Sequence, residues 1–359
     1  MNLCFICNKW SETGDGKNLI AVLNGLNLRG HEITVISLCD EKSPDGFDRF
    51  RFFCIGRHGN PISVWKAKRI LLRRLMNEHT FDAVLCFGEE AALFSLCAKK
   101  EMGCPVIFCE RSDPEFSPEN ALMQTIRDKL FATADAYIFQ CKKQKRYFTS
   151  NKIRKNCYLI HDFPCTKGTN YAHEPKEKVI LCNARLDARQ KNLYMLFDGF
   201  IEFAKTYPEY TLKLYGEGAD REKCMEYIRS KGSDWNIKLP GVCENPEEEL
   251  KRAEVFVLTS NFEGTPNELL PAMSAGCTCI CTNCGCASEL IVNGQNGIVI
   301  DINDSKTLTE ALCYLAENEE MRIKLGDAAF EINQTLTEEN TIPLWEKAIT
   351  EVIEKKAER

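Results

Sequence analysis

The sequence predicts an α/β protein with two doubly wound, Rossmann-like domains that face a central cleft. Its 359 residues exceed what one hydrophobic core normally organises, and 44% apolar residues are enough for two cores. Short apolar strands alternate with helical patterns, which is the rhythm of βαβ units in a mostly parallel sheet. The rhythm lapses once, over residues 161–178, where turn formers and charged residues indicate a linker.

The N-terminal series of strands begins at residue 3, and a helix follows its first strand. Its predicted strands are LCFIC, EITVIS, RFFCI, DAVLCF, PVIFC, AYIFQ and CYLI. The second series contains KVILCNA, TLKLYG, NIKLP, VFVLTS, CTCIC and GIVID. We assign residues 1–165 to the first domain and 166–340 to the second, and we expect a helix over 341–359 to pack back toward the first domain.

Composition narrows the class of protein. No stretch approaches the ~20 apolar residues that a membrane-spanning helix needs. The start, MNLCFICNKW, has no basic segment followed by a long apolar run, so we expect a cytoplasmic protein without a secretion signal. Residues 1–175 carry 25 Lys and Arg against 20 Asp and Glu, a formal charge of +5, while the remainder carries −11. This asymmetry indicates that the halves face different partners, and we expect no nucleic acid among them.

The sequence contains twenty cysteines, which could be buried thiols or metal ligands. Several occupy positions suited to a buried aliphatic side chain, where reduced cysteine behaves as a small apolar residue. The run CTCICTNCGC (277–286) contains Cys281-x-x-Cys284, which could hold zinc or an iron–sulfur cluster, but it lacks a second spaced pair. On a strand, Cys279 and Cys281 would share one face and Ile280 the other. We favour packed thiols in a reducing compartment over metal ligands.

The stretch NFEGTPNELLPAMSAG (261–276) follows the predicted strand VFVLTS and resembles a helix start. Thr265-Pro266-Asn267-Glu268 fits a capping box, with Thr265 as N-cap and Glu268 at the third helical position. A helix that starts near residue 265 at a strand end can receive an anion. Glu263 lies in the preceding loop beside Gly264, and both a solvated side chain and a ligand for a hydroxyl group remain open for it.

Further strand ends carry candidate binding residues. In ILCNARLDARQKN (180–192), Arg185 and Lys191 follow a strand and could close on a diphosphate. The segment LYGEGAD, with Glu217, and the segment SETGDGKN, with Gly14 and Gly16, are glycine-lined strand ends as well. The latter lacks the spacing of a Walker loop.

The predicted strand PVIFC is followed by Glu110 and Arg111, which we expect to face the cleft; the alternative is an ion pair at a strand end. We find no Asp-x-Asp triad at a strand end and no ligand spacing among the five histidines, so no metal site is predicted. Residues 64–76, VWKAKRILLRRLM, form a basic amphipathic pattern. It could rest on an anionic membrane surface or present an ordinary solvated face.

Together these segments resemble the family 4 retaining glycosyltransferases, which have the GT-B fold. The resemblance is carried by EGTPNELLPAMSAGCTCICTNCGCASELIVNGQNGIVI, RLDARQKN and LYGEG, and more loosely by ETGDG, LNLRGHEITVIS and CERSDPEF. The last segment is similar to a branch that acts on bacterial surface polysaccharides. The resemblance spans nearly the whole chain and is more specific in its C-terminal half.

The resemblance implies roles residue by residue. Arg185 and Lys191 would bind the donor diphosphate, and Glu263, the first Glu of an E-x7-E motif, would contact the donor sugar. Backbone groups of 264–267, including Gly264, Thr265 and Asn267, would contact phosphate, and Gly14 or Gly16 would lie near the diphosphate. Glu110 and Arg111 are the candidates on the acceptor side, where the family often has a histidine.

One position departs from the family pattern. The second Glu of E-x7-E, a ribose ligand in the family, is Pro271 here. A proline six positions into a helix costs about 3 kcal/mol unless the helix bends or starts late. The lost charged hydrogen bond is worth ~1.5–3 kcal/mol, and Glu268 is the nearby substitute, in competition with its capping role.

The resemblance implies a retaining, metal-independent hexosyltransferase with no cofactor. It would move a hexose or N-acetylhexosamine from a nucleotide sugar, UDP in our expectation, to a bacterial surface glycan that could be lipid-linked. Because of Pro271, a non-catalytic sugar-nucleotide or glycan-binding relative remains an alternative. A UDP-sugar epimerase of the same fold is another.

Overall fold

Two parallel sheets organise the chain, each in its own compact unit of this computed structural model. Residues 1–10, 15–40, 49–56, 61–150, 153, 155–165 and 168–358 are described. Unit 1 comprises Met1–Cys165 together with Glu338–Arg359, and unit 2 comprises Thr166–Thr337. The divisions therefore fall within the linker-like segment and at the start of the last helix.

Unit 1 has the strand order β3-β2-β1-β4-β5-β6-β7, with every neighbouring pair parallel within its described residues. Its strands are β1 Asn2–Cys7, β2 Glu32–Ser37, β3 Arg51–Cys54, β4 Ala83–Phe87, β5 Val106–Cys109, β6 Ala136–Phe139 and β7 Cys157–Leu159. Its helices are α1 Asp15–Leu28, α2 Pro61–Glu78, α3 Glu89–Cys97, α4 Lys99–Met102, α5 Ala121–Phe131, α6 Lys142–Ser150 and, last in the chain, α16 Glu338–Ala357.

Unit 2 has the strand order β10-β9-β8-β11-β12-β13, again parallel throughout its described part. Its strands are β8 Glu177–Asn183, β9 Thr211–Tyr215, β10 Ile237–Gly241, β11 Ala253–Leu258, β12 Thr278–Thr282 and β13 Ile298–Ile300. Its helices are α7 Ala188–Lys191, α8 Leu193–Thr206, α9 Arg221–Ser230, α10 Pro246–Arg252, α11 Leu269–Ser274, α12 Ala287–Leu290, α13 Ser305–Glu317, α14 Glu319–Phe330 and α15 Ile332–Thr335.

In both units the order reverses beside the first strand, which is the doubly wound arrangement, so the predicted fold class of the two domains is confirmed. The central strands are apolar runs because helices cover both faces of each sheet. Strand β12 shows this alternation within one segment. Cys279 and Cys281 pack in the core on one face of unit 2, while Ile280 packs in the core on the other face, as predicted.

The cysteines of the 277–286 run that lie on and beside β12 are packed as apolar side chains. Cys277, Cys279, Cys281 and Cys284 are buried, and the first three are free thiols. Burial raises the pKa of the Cys279 and Cys281 thiols well above the ordinary value, so both stay neutral. Within the described ranges, no group of three or more His, Cys, Asp or Glu side chains is arranged so that it could hold a metal ion.

The C-terminal helix α16 belongs to unit 1 and packs on α1. Ile342 is buried against Gly25, and Trp345 stacks on Phe87 with ring centroids 6.2 Å apart. A Cβ atom at Gly25 would lie 2.5 Å from Ile342 Cγ1, which is too close for two carbon atoms. The absence of a side chain at position 25 therefore lets the two helices approach.

We expect Gly25→Ala to destabilise unit 1 by about 1–3 kcal/mol through overpacking, although alanine is the better helix former. In an Ile342→Ala background the same change should become neutral or stabilising by up to ~1 kcal/mol, because the space is then free. Chemical denaturation of the four proteins of this cycle measures the difference. Equal effects of Gly25→Ala in both backgrounds would contradict the proposed contact.

Candidate active site

The carboxyl ends of β8 and β9 are joined by close backbone packing. The Leu186 N–H, which follows β8, donates to the carbonyl of Glu217, which follows β9, at 2.9 Å. A Cβ atom added to Gly216 would lie 2.0 Å from the carbonyl oxygen of Ala184. A Cβ atom added to Gly218 would lie 2.3 Å from the carbonyl oxygen of Leu186. The LYGEG segment therefore needs both glycines in order to support the loop that carries Arg185.

A one-turn helix then sets the directions of the basic side chains. The Asp187 carboxylate caps α7 by accepting from the Gln190 N–H at 3.0 Å, and Asn192 ends the turn in the left-handed region with φ 51°. This turn leaves the Arg185 side chain 64% exposed and buries Lys191, which is 6% exposed. Two cations from one loop thus occupy different environments.

Lys191 forms a buried ion pair with Glu263. Lys191 Nζ lies 2.6 Å from Glu263 Oε1, and the Ser260 hydroxyl donates to the same oxygen at 2.7 Å. Glu268 Oε2 lies 3.7 Å from the ammonium group. Burial alone would lower the pKa of Lys191, but the two carboxylates outweigh it and raise this pKa above the ordinary value. Lys191 is therefore charged at every physiological pH.

Gln190 connects this pair to Arg185. The amide oxygen of Gln190 accepts from Arg185 Nη2 at 2.5 Å, and its nitrogen donates to Glu263 Oε2 at 3.3 Å. Arg185 Nη2 also lies 3.7 Å from Asp187 Oδ2. Three residues selected from the sequence, Arg185, Lys191 and Glu263, are thus brought together at one edge of the sheet.

The prediction of a capping box at residues 265–268 is wrong. Helix α11 begins at Leu269, and Glu268 precedes it without a side-chain hydrogen bond to the helix. The Thr265 hydroxyl is directed to Cys286 Sγ at 3.7 Å, and the Leu269 N–H closes a turn onto the Pro266 carbonyl. The helix start expected near residue 265 therefore lies four residues later, because this tertiary contact competes with the local cap.

The late start explains how α11 tolerates Pro271. This residue is exposed and is third in the six-residue helix, where a backbone N–H would have no intrahelical partner. Its carbonyl still accepts from the Ala275 N–H at 3.0 Å. The backbone cost of about 3 kcal/mol for an interior proline is consequently avoided.

The remaining donor-side candidates belong to both units of the chain. Gly264 is buried, and its carbonyl accepts from the Cys286 N–H at 3.2 Å. Asn267 is half-buried in the turn before α11. Glu217 is 52% exposed and bonds to Arg221 at 3.2 Å. In unit 1, Gly16 is buried at the second position of α1, whereas Gly14 is outside the described residues. Their contacts with a donor stay predictions.

Glu110 organises the loop after β5. Its carboxylate is fully buried, and Oε1 accepts from the N–H groups of Arg111 and Ser112, each at 2.9 Å, and from the Ser112 hydroxyl at 2.7 Å. Burial raises the pKa of Glu110 to about 7. A role in acceptor chemistry stays a prediction for this residue.

Arg111 pairs with Asp162, not with Glu110. The Nη1 and Nη2 atoms of its guanidinium donate to the two carboxylate oxygens of Asp162 at 2.9 and 2.8 Å, and the guanidinium carbon lies 4.6 Å from the Phe87 ring centroid. Asn18 of α1 also donates to Asp162 at 3.0 Å. The ion pair at this strand end therefore involves a residue that the sequence analysis missed.

Three contributing residues were missed: Gln190, Ser260 and Asp162. Ser260 and Asp162 each lie just after a strand, at the edge where parallel strands end, so their position was a usable signal. Gln190 gave no such signal, because a polar residue in a short helix is usually solvated.

Every helix among the described residues is too short or too polar to cross a bilayer.

The comparison with known proteins covers both units. Residues 169–332 match the family described as glycosyl transferases group 1, and residues 17–162 match glycosyltransferase family 4. The chain belongs to the family 4 glycosyltransferases. The recognition from sequence motifs is confirmed, and this glycosyltransferase carries the matched regions on separate units.

Curated relatives match parts of the glycosyltransferase. It is 31% identical over 173 residues to a poly(glycerol-phosphate) alpha-glucosyltransferase of Bacillus subtilis, which is 48% of this chain and 26% of that protein. It is 37% identical over 231 residues to a lipopolysaccharide 1,6-galactosyltransferase of Salmonella typhimurium, which is 62% of each chain. The chain thus spans less than two thirds of both proteins.

A solved structure matches the glycosyltransferase over its whole length. An Anabaena protein in complex with UDP and glucose superposes with a TM-score of 0.81, covering 100% of each chain at 15% identity. At this identity the likeness shows the fold alone. The fold is that of GT-B glycosyltransferases.

The raised pKa of Glu110 predicts a pH-dependent stability. A carboxyl whose pKa is higher in the folded state stabilises the protein below its unfolded pKa, and this contribution disappears as the pH rises toward 7. Relative to Glu110→Gln, the wild type should therefore lose about 2–3 kcal/mol between roughly pH 4 and pH 8. Guanidinium chloride unfolding at several pH values measures this.

The exposed Glu354 of α16 provides the control for this measurement. Glu354→Gln should leave the pH profile of unfolding unchanged. If the Glu110→Gln and wild-type profiles run parallel, the carboxyl of Glu110 titrates normally in the folded protein.

Proposed function

We propose that this glycosyltransferase is a retaining hexosyltransferase that moves a hexose or N-acetylhexosamine from a UDP-sugar to a growing bacterial surface glycan. One observation carries the proposal: Arg185, Lys191 and Glu263 form a connected cluster at the carboxyl edge of the unit 2 sheet. Ligands of open α/β sheets bind at this edge. The two cations, Arg185 and Lys191, suit a diphosphate, and the neighbouring Glu263 carboxylate suits the hydroxyl groups of the sugar attached to it.

The cations bind the donor diphosphate. The exposed Arg185 guanidinium offers a planar fork that matches phosphate oxygens. Lys191 remains charged because two carboxylates face it, and its ammonium group has further protons to donate beyond the bond to Glu263. These cations stabilise the charge that develops on the leaving UDP, so no metal ion is required for that role.

The carboxylates bind the donor hydroxyls. Glu263 is fixed by Lys191, Ser260 and Gln190, and it accepts from hydroxyls of the donor sugar. Glu268 takes the ribose contact that Pro271 cannot make. Two observations support this role: the Glu268 side chain makes no capping hydrogen bond to α11, and it is 25% exposed.

Retention of the anomeric configuration is part of this proposal. Family membership supports it, and so does the alpha product that the Bacillus relative's name states, since UDP-hexoses are commonly α-linked. The C1–oxygen bond to UDP breaks and the acceptor oxygen bonds C1 on the same face of the sugar. The acceptor proton passes to the departing phosphate oxygen. UDP as donor nucleotide is supported by the Anabaena complex with UDP and glucose.

The acceptor is a surface glycan, lipid-linked during its synthesis at the cytoplasmic face of the membrane. The names of the two relatives, which specify poly(glycerol-phosphate) and lipopolysaccharide, support this class. Glu110 and Arg111 shape the acceptor side in unit 1. Titration with UDP and UDP-hexoses, followed by a product assay on glycan acceptors, tests the function. Donor binding without transfer favours the non-catalytic alternative, and donor turnover without acceptor favours an epimerase.

We expect Arg185→Ala to weaken UDP binding at least about tenfold, because a charged hydrogen bond to the diphosphate is lost. Isothermal titration calorimetry measures the dissociation constant. Arg229→Ala, which removes an exposed arginine at the end of α9, is the charge-matched control and should bind as the wild type does. An unchanged dissociation constant for Arg185→Ala would count against the diphosphate assignment.

We further propose that α2 contacts an anionic membrane surface. Ile70 is 71% exposed and Trp65 39% exposed, and Lys66, Arg73 and Arg74 are exposed on the same helix. Apolar side chains that are surrounded by cations suit the interface of an anionic bilayer.

Co-sedimentation with phosphatidylglycerol vesicles tests this contact. Ile70→Asp combined with Arg73→Glu should reduce binding by roughly tenfold or more. Leu344→Asp, on α16, is the control and should have no effect. Equal binding of wild type and double variant, or equal binding of the wild type to phosphatidylcholine vesicles, would contradict an anionic membrane contact through α2.

A further inference from the structure

Gln190 is held at both its backbone groups. Its N–H donates to Asp187 Oδ1 at 3.0 Å, and its carbonyl accepts from the Asn261 N–H at 2.8 Å. The side chain therefore leaves the backbone from a fixed point between two loops. One of these loops carries Arg185 and the other carries Glu263.

The amide group of Gln190 has different partners at its two ends. Its oxygen accepts from Arg185 Nη2 at 2.5 Å, and its nitrogen donates to Glu263 Oε2 at 3.3 Å. Lys191 and Ser260 hold the other oxygen of Glu263, so Gln190 determines the rotation of that carboxylate. A neutral group with one acceptor and one donor suits a position between a cation and an anion.

We infer that Gln190 is a positioning residue, which fixes the Arg185 guanidinium for the donor diphosphate and the Glu263 carboxylate for the donor sugar. The inference rests on the proposed function and adds a residue that couples its two binding groups. Gln190 acts through Arg185 on nucleotide affinity and through Glu263 on transfer, and the two effects are separable.

A double-mutant cycle measures the first effect. Methionine is similar in length to glutamine and forms neither hydrogen bond, so Gln190→Met should weaken UDP binding about three- to tenfold. In an Arg185→Ala background the same change should alter the UDP dissociation constant less than about twofold, because the group it positions is absent. Additive effects would show that Gln190 does not act through Arg185.

Steady-state transfer kinetics measure the second effect. Gln190→Met should lower kcat at saturating donor in both backgrounds, since the bond to Glu263 is independent of Arg185. Gln190→Glu adds a pH test. When protonated, the introduced carboxyl has a donor and an acceptor as the amide does, whereas the ionised form repels Glu263. Its kcat/KM relative to wild type should therefore rise as the pH falls from about 8 to about 5.

The controls separate positioning from folding and from the proposed function. Gln295→Met, at an exposed position of unit 2, should match the wild type in all measurements. If Gln190→Met lowers the melting temperature but leaves UDP affinity and kcat unchanged, Gln190 is structural only and the inference is overturned. If the wild type itself neither binds UDP nor transfers sugar, the proposed function fails and the inference with it.

Discussion

The buried ion pair between Lys191 and Glu263 links the two loops on which the candidate site depends. Taking an ammonium and a carboxylate out of water is costly, and only a short contact with further hydrogen bonds offsets that cost. The pair meets this condition, with nitrogen and oxygen 2.6 Å apart and Ser260 on the same carboxylate oxygen. If the loops after β8 and β11 moved apart, Lys191 and Glu263 would each lose the partner that compensates its buried charge. The ion pair therefore keeps these two loops together.

The backbone around the Lys191–Glu263 pair holds the two loops in the positions that this contact requires. The two close glycine approaches at 216 and 218 hold the β9 loop against the β8 loop, and the one-turn helix α7 separates an exposed guanidinium from a buried ammonium. On the other side, Gly285 packs so closely on the Glu263 carbonyl that a Cβ atom would lie 2.1 Å away. Glu263 is therefore held through both its side chain and its backbone.

Strands and principal site residues could be predicted from the sequence because their signals are local or topological. Apolar runs mark strands that are buried on both faces, and parallel topology brings their carboxyl ends to one edge, which placed Arg185, Lys191 and Glu263 together. The start of α11 could not be predicted, because the Thr265 hydroxyl bonds to Cys286, 21 residues away. Asp162 was missed because it lies in a segment with the composition of a linker. Gln190 was missed because its position depends on two loops that are distant in sequence.

The most direct test of the account is a crystal structure with UDP or a UDP-hexose bound. Nitrogen atoms of Arg185 and Lys191 should lie within hydrogen-bonding distance of diphosphate oxygens, with the Lys191–Glu263 contact retained and Glu263 facing the sugar. A nucleotide bound in unit 2 with both cations directed away from its phosphates would contradict the account.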